Sequence, residues 1–262
     1  KHYIEFANDL DSYISSKYPS LASRYVIINC LDMEKLLYTS DGVVSHSFTP
    51  RSSVYIGMTA EGCDSMPIEL FVPFGDYGIF DDVFKSPKDL YKGIDLIYTQ
   101  LRQKCEGVYA EPGYKTVILH PDLAGILAHE AVGHTVEADF VMSGSVGGPC
   151  FGKQVASEIV TLIDYANEVN GKRCPVPVYI DDEGTPARDA VLIKDGILTG
   201  YMHNKESAAH FGHQPTGNAR AYSFSDEPLI RMRNTCIVPG KNKLEEMIAS
   251  IDDGYFFVKT GN

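Results

Sequence analysis

The sequence predicts an α+β fold, and three observations carry the prediction. Two stretches of the first half space their apolar residues as helices do. Short runs rich in β-branched and aromatic residues, punctuated by turn dipeptides, lie between and after them. The second half is dominated by such runs. The reading places an N-terminal α+β region at residues 1–110 and a β-rich C-terminal region at 111–262, changing near "EGVYAEPG" (Glu106–Gly113). The chain has 262 residues, 44% hydrophobic and 22% charged, which is ordinary globular composition.

Taken in order, "HYIEFANDLDSYISSKY" puts Ile4, Ala7, Leu10 and Ile14 at helical intervals. "RYVIINCLD" reads as a strand, and "EKLLYTSDGVVSHSF" as a hairpin about Asp41-Gly42, a dipeptide suited to a type I′ turn. "SSVYIGMTA" and "IELFVPF" continue the strands. "SPKDLYKGIDLIYTQLRQKC" is a helix capped by Ser86, with Pro87 in its first turn and Leu90, Ile94, Ile97 and Leu101 along one face. "YKTVILH" is a short strand, and Pro121 opens the next helix. "MSGSVGGPCFG" has four glycines in eleven residues and no charge, so a mobile or tightly turned loop is expected. "VASEIVTLID" and "VPVYIDD" read as strands, and "AVLIKDGILTGYMH" as a hairpin about Asp195-Gly196. "NKLEEMIASI" is a short helix with Asn242 as its cap, and "GYFFVKTGN" begins a last strand.

Charge narrows the choice of partners. With 23 basic and 35 acidic residues the net charge is −12, and such a surface repels phosphate backbones, so no nucleic acid is expected. No apolar run approaches the roughly 20 residues of a membrane helix, so no membrane is expected either. Cys30, Cys63, Cys105, Cys150, Cys174 and Cys236 are scattered without a C-x-x-C pair, as reduced thiols of a cytoplasmic protein would be.

The chemistry concentrates in "AHEAVGHTVE", Ala128–Glu137. His129 is followed by Glu130, and His134 lies five residues on, one more than in the H-E-x-x-H helix of zinc peptidases. An α-helix turns about 100° per residue, so positions five apart differ by about 140° and a straight helix would aim the two rings apart. A π-turn brings them nearly into line, and Gly133 is the natural place for one. The two imidazoles would then converge within about 4 Å on one Zn²⁺. Zinc lowers the pKa of a bound water toward 7 and polarises a carbonyl, while Glu130 takes the water's proton and returns it to the leaving amine. Glu137 or Asp139 would hold a ligand imidazole through its second N–H. Spacing alone favours two unrelated histidines. The preceding apolar half-helix (Leu123, Ile126, Leu127), the neighbouring glycine-rich loop and the cost of burying these groups without a metal favour the metal. His203, His210 and His213 read as solvated loop histidines and each cysteine as a small buried apolar residue, with metal ligation the less favoured alternative for both.

"LAHEAVGHTVEADF", followed in order by "GKQVASEIVTLID", "DDEGTPA", "GILTGYMHNKESA", "PTGNARAYS" and "RMRNTCIVPG", resembles the TldD/PmbA family of metallopeptidases. The resemblance covers most of the chain from about Thr116 onward. It implies a two-domain α+β protein, with an N-terminal mixed sheet and helices and a largely antiparallel β-rich C-terminal domain. It implies His129 and His134 as zinc ligands, Glu130 as general base and extended or unfolded peptides as substrates. It also implies a homodimer, or a heterodimer with a homologous subunit. The family's third ligand is a cysteine beyond the last strand seen here, and none of the six cysteines matches its context, so either the chain is a fragment, with elements missing before Lys1 as well, or this version has lost the site. Gly217, Asn218 and Arg220 of "PTGNARAY" are candidates for a groove that takes a peptide by strand addition, with a plain turn as the alternative. A second reading is a catalytically inactive subunit that binds peptides or a partner with the same fold. A structural zinc site is disfavoured, because such sites close all four positions and use more cysteine.

Overall fold

The computed structural model describes residues 1–62 and 65–259. Its contacts divide the chain into two units, Lys1–Glu34 with Ser47–Gly113, and Lys35–His46 with Tyr114–Gly261. Cys63 lies outside the described residues, and Cys30, Cys150, Cys174 and Cys236 are free thiols. No helix among the described residues is long and apolar enough to cross a membrane.

The first unit begins with α1 (His2–Lys17). Its buried face is Phe6, Leu10 and Ile14, so Ile4, assigned to that face by spacing, points to solvent at 65% exposure. Phe6 and Ile4 satisfy the same period in different frames, and the aromatic ring wins because it packs edge-on against Phe80 and Phe84. The strand-like pieces of the sequence merge into β1 (Ser23–Tyr38), β2 (Val44–Glu61) and β3 (Pro67–Tyr77), joined in that order in one sheet. β2 and β3 are antiparallel over eleven partnered positions, Arg51↔Tyr77 to Glu61↔Pro67. Val54, Ile56, Met58 and Ala60, alternate residues of β2, are buried, as a strand with one covered face requires. After the short α2 (Phe80–Val83), the Ser86 hydroxyl accepts the Lys88 N–H and a 3₁₀ turn from Pro87 leads into α3 (Tyr91–Cys105). Leu90, Ile94, Ile97 and Leu101 are all buried, as their spacing predicts.

The second unit is built from short strands. β4 (Thr116–Leu119) runs into α4 (Pro121–Leu127), then the turn carrying the histidines, then α5 (Ala138–Met142). There follow β5 (Leu162–Tyr165), β6 (Glu168–Val169), β7 (Lys172–Arg173), β8 (Ala190–Lys194) and β9 (Ile197–Leu198). The unit ends with α6 (Lys205–Phe211), β10 (Ala219–Arg220), β11 (Leu229–Ile230), β12 (Asn234–Ile237), α7 (Leu244–Ala249) and β13 (Gly254–Phe257). The main sheet is antiparallel in the order β12-β5-β8-β9, and the β6–β7 and β10–β11 pairs are antiparallel too. β13 departs from this pattern: it pairs parallel with β4, and the Phe257 carbonyl accepts the His120 N–H at 2.8 Å, just before α4.

Local sequence explains where the strand expectations stop. Only the end of "VASEIVTLID" pairs, because Val155 and Ala156 donate to the Gly196 carbonyl and wrap the β8–β9 turn. "VPVYIDD" is not a strand, because Asp181 accepts the N–H groups of Glu183 and Thr185 and folds the chain into a turn. Asp195 and Gly196 both take positive φ, the type I′ signature, whereas at Asp41-Gly42 only the glycine does. Lys243, not Asn242, precedes α7, which has no side-chain cap. The glycine-rich loop is tightly turned: Ser145 Oγ donates to the Thr135 carbonyl at 2.8 Å, one residue beyond His134.

Candidate metal centre

Pro121 takes the first helical position of α4, and the His120 ring accepts the Asp122 N–H. The helix widens at Ala128–Val132 into a π-turn, in which the Gly133 N–H reaches back to the carbonyls of both Ala128 and His129. It then tightens into a 3₁₀ turn over Gly133–Val136. Gly133 is where the second unit's core comes closest. A β-carbon there would lie 1.9 Å from Met232 Sδ, so the thioether occupies the space a side chain would need.

The distortion brings the five-residue spacing to one place. The His129 and His134 rings stand 4.8 Å apart and nearly perpendicular, at 86°. Both Nε2 atoms face the Glu130 carboxylate, each 3.9 Å from one of its oxygens. One ligand atom from each of the three residues falls within 4.8 Å of the others, somewhat looser than the roughly 4 Å that two imidazoles on one zinc imply. Their side chains are 46%, 67% and 45% exposed for His129, Glu130 and His134. The expected cost of burying them is therefore absent, because α4 presents Ile126 and Leu127 to solvent rather than to the core. The donor set still fits zinc: two nitrogen ligands converge, with free space on the solvent side for other ligands.

Glu137 and Asp139, the two candidates for holding a ligand, separate clearly. Glu137 is 1% exposed, and its Oε2 lies 3.6 Å from His134 Nδ1, with no hydrogen bond of ordinary length to either oxygen. Burial pushes its carboxyl above the usual range and the Asp139 charge adds to this, against the opposing pull of His134 and Arg231. Asp139 instead accepts the Phe140 N–H and stays at its own helix start.

The three candidate groove residues all make contacts within the fold. Gly217 has φ +77°, and the backbone it approaches is that of Ala187, 2.5 Å from where a β-carbon would stand. Asn218 is fully buried; its amide donates to Asp164 Oδ2 and the Arg231 carbonyl. Arg220 donates through Nη2 to the Met232 carbonyl. His203 also departs from its expectation: it is 2% exposed, with Nδ1 at 3.1 Å from Ser207 Oγ and Nε2 at 3.1 Å from His213 Nδ1. His210 and His213 are exposed as expected.

Sequence reasoning missed the opposite wall. A pocket of about 780 Å³ is lined by His129 and Glu130 on one side and by Met232 to Cys236 on the other. The second wall is fixed by Asp164 and Arg233, whose side chains are both 0% exposed and meet at 2.8 Å. Asp164 also accepts from Asn218, Thr235 and the N–H groups of Arg233 and Asn234. Arg233 reaches the carbonyls of Thr216, Asp164 and Arg188. The charged "RMR" of the sequence was the only local hint.

Comparison with known proteins bears on the family and the fold. The family model described as the PmbA/TldA metallopeptidase C-terminal domain matches residues 112–261. A zinc metalloprotease TldD homolog of Saccharolobus solfataricus is 31% identical over 261 residues, covering 98% of this chain and 57% of that protein. A metalloprotease TldD homolog of Haemophilus influenzae is 39% identical over 232 residues, 85% of this chain and 46% of its own. The chain thus spans about half the length of these curated relatives. Among solved structures, a Thermotoga maritima protein superposes with a TM-score of 0.79 at 19% identity, covering 98% of this chain and 56% of that one. TldE from Thermococcus kodakarensis gives 0.70 at 21%, covering 97% and 56%. The fold is shared with both, and by the match of its C-terminal region the chain belongs to the TldD/PmbA family of metallopeptidases.

Proposed function

We propose that this chain carries the metal-binding and proton-transfer residues of a zinc-dependent peptidase that acts on extended, unfolded peptides. The observation that carries the proposal is the convergence of His129 Nε2 and His134 Nε2 on the Glu130 carboxylate across a π-turn. His129 and His134 hold the metal through these nitrogens. Glu137, buried against Nδ1 of His134, orients that ring. Zinc, when bound, supplies a Lewis acid that polarises a peptide carbonyl and makes water acidic near neutral pH. Glu130 accepts the proton of the attacking water and delivers it to the leaving amine. β12 stands at the end of its sheet and shares the pocket with His129 and Glu130, a placement that supports an extended backbone as guest.

The test is Glu130→Gln, with zinc content, melting temperature and peptide hydrolysis measured on one preparation. The side chain is nearly isosteric and both imidazoles are untouched, so zinc and stability are expected to hold. Hydrolysis should fall by roughly 10²–10⁴-fold in kcat, with KM little changed. A rate within about threefold of the parent, with zinc retained, removes Glu130 from the reaction.

A further inference from the structure

The pocket beside Glu130 has a chemistry that the family's shared motif does not specify. Its size, about 780 Å³, is that of a ligand pocket rather than of a water-sized void. Its second wall carries polar residues, yet their polar atoms are already engaged within the fold. Asn234 accepts the Val176 N–H and donates to the carbonyls of Tyr165 and Val176. Thr235 Oγ1 donates to Asp164, Arg233 is bonded to Asp164, and Cys236 Sγ donates to the Ile237 carbonyl. The apolar surface that faces a guest comes from Ile126, Val169, Pro175, Val176 and Met232, beside the Tyr165 ring. Burial pushes the phenol of Tyr165 and the thiols of Cys174 and Cys236 upward, as a weakly hydrated wall would. The charges at the mouth are acidic: Asp122 and Glu130 are 70% and 67% exposed. Arg233, the one cation of the lining, is neutralised by Asp164.

We propose that this pocket is a specificity subsite that takes a large apolar side chain of the peptide, next to the bond being cleaved, and rejects carboxylates. The proposal rests on the peptidase reading for its occupant, because two lining residues, His129 and Glu130, belong to the proposed reaction centre. An apolar side chain loses its water against the wall at no polar cost. An Asp or Glu side chain would lose hydration against this wall and would meet Asp122 and Glu130 as like charges.

The experiment uses fluorescent decapeptides identical except for Phe, Leu, Ser, Lys or Asp at one central position. Binding is read by anisotropy on metal-stripped protein, and cleavage is mapped by mass spectrometry with zinc restored. Phe and Leu peptides should bind and be cleaved beside that residue roughly 10–100-fold better than Ser, with Asp the poorest. Val169→Asp, on the short β6–β7 hairpin, should cut the preference for Phe about tenfold and raise that for Lys, while Val169→Leu keeps the parent order. The melting temperature of each variant checks folding. Cleavage without preference, or equal binding of all five peptides, overturns the subsite and leaves the peptidase reading intact. The binding order without any cleavage supports the subsite and overturns the peptidase reading.

Discussion

Two charged sites face each other across the second unit's pocket, and they are built in opposite ways. Asp164 and Arg233 are fully buried, 2.8 Å apart, and nearly every polar atom of the pair has a partner. His129, Glu130 and His134 are about half exposed and approach one another only to 3.9 Å. A charge removed from water is tolerable only when a counter-charge and hydrogen bonds replace the solvent. A site that must accept a metal and a substrate cannot be so satisfied beforehand. The first site therefore holds the wall, and the second stays available.

The contrast breaks most visibly at Asp164. Asp164→Ala would leave the Arg233 guanidinium buried without its counter-charge, and should lower stability by about 3–5 kcal/mol. Glu130→Ala, at the open site, should change stability by less than about 1 kcal/mol. Denaturant midpoints of the two variants measure the difference. Equal losses would mean that the exposed cluster carries structure as well, and the division of labour would fall.

Glu137 lies between the two regimes, buried like Asp164 but serving His134. Glu137→Gln keeps the shape and removes the charge that favours an N–H on His134 Nδ1. Zinc affinity is expected to fall roughly 10–100-fold, read by competition with a chelator, while the fold is kept or slightly stabilised. An unchanged affinity would make Glu137 a buried acid with no part in holding the ring.

The same contrast marks what the sequence could reveal. The face of α3 and the Asp195-Gly196 turn follow from spacing within a few residues, and both are present as read. The histidine pair is legible for the same reason: five residues and a glycine define the π-turn between them. The frame of α1 is not, because two apolar series share its period and only packing on Phe80 selects Phe6. Asp164 and Arg233 are 69 residues apart, and no local pattern links them. His203 reads as a loop residue because its burial is made by Tyr201, Phe211 and Phe151 closing around its neighbourhood, not by its own spacing.

Gly133 tests whether the open site depends on the wall. A methyl group there meets Met232 Sδ, which is flexible and can turn aside, so Gly133→Ala should destabilise by about 1–2 kcal/mol rather than prevent folding. Adding Met232→Ala should make the pair less damaging than the sum of the two single changes. Strict additivity would show that the turn and the wall are energetically separate.

The last effect concerns His203, the buried imidazole of the second unit among the described residues. Burial is the main cause, with the His213 ring and Arg188 adding to it, that holds its pKa down at about 4. The contact between His203 Nε2 and His213 Nδ1 has room for one N–H, and His203 Nδ1 faces Ser207 Oγ. A second proton puts two N–H groups face to face. The unfolded chain protonates this histidine near its ordinary value of about 6.5, so between that pH and about 4 the unfolded state binds more protons than the folded one. Stability from this residue is thus fully present above about 6.5 and is lost as the pH falls toward about 4. The loss should be about 1–2 kcal/mol, since the exposed His213 can swing away and let water in. Carboxylates titrate in the same window, so the measurement is the difference between the parent and His203→Gln. The variant should melt with a flatter pH dependence from 6.5 to 4 than the parent. Parallel curves would mean that His203 takes up its proton inside the fold without breaking a bond, and that its burial is as readily adjusted as the open site's exposure.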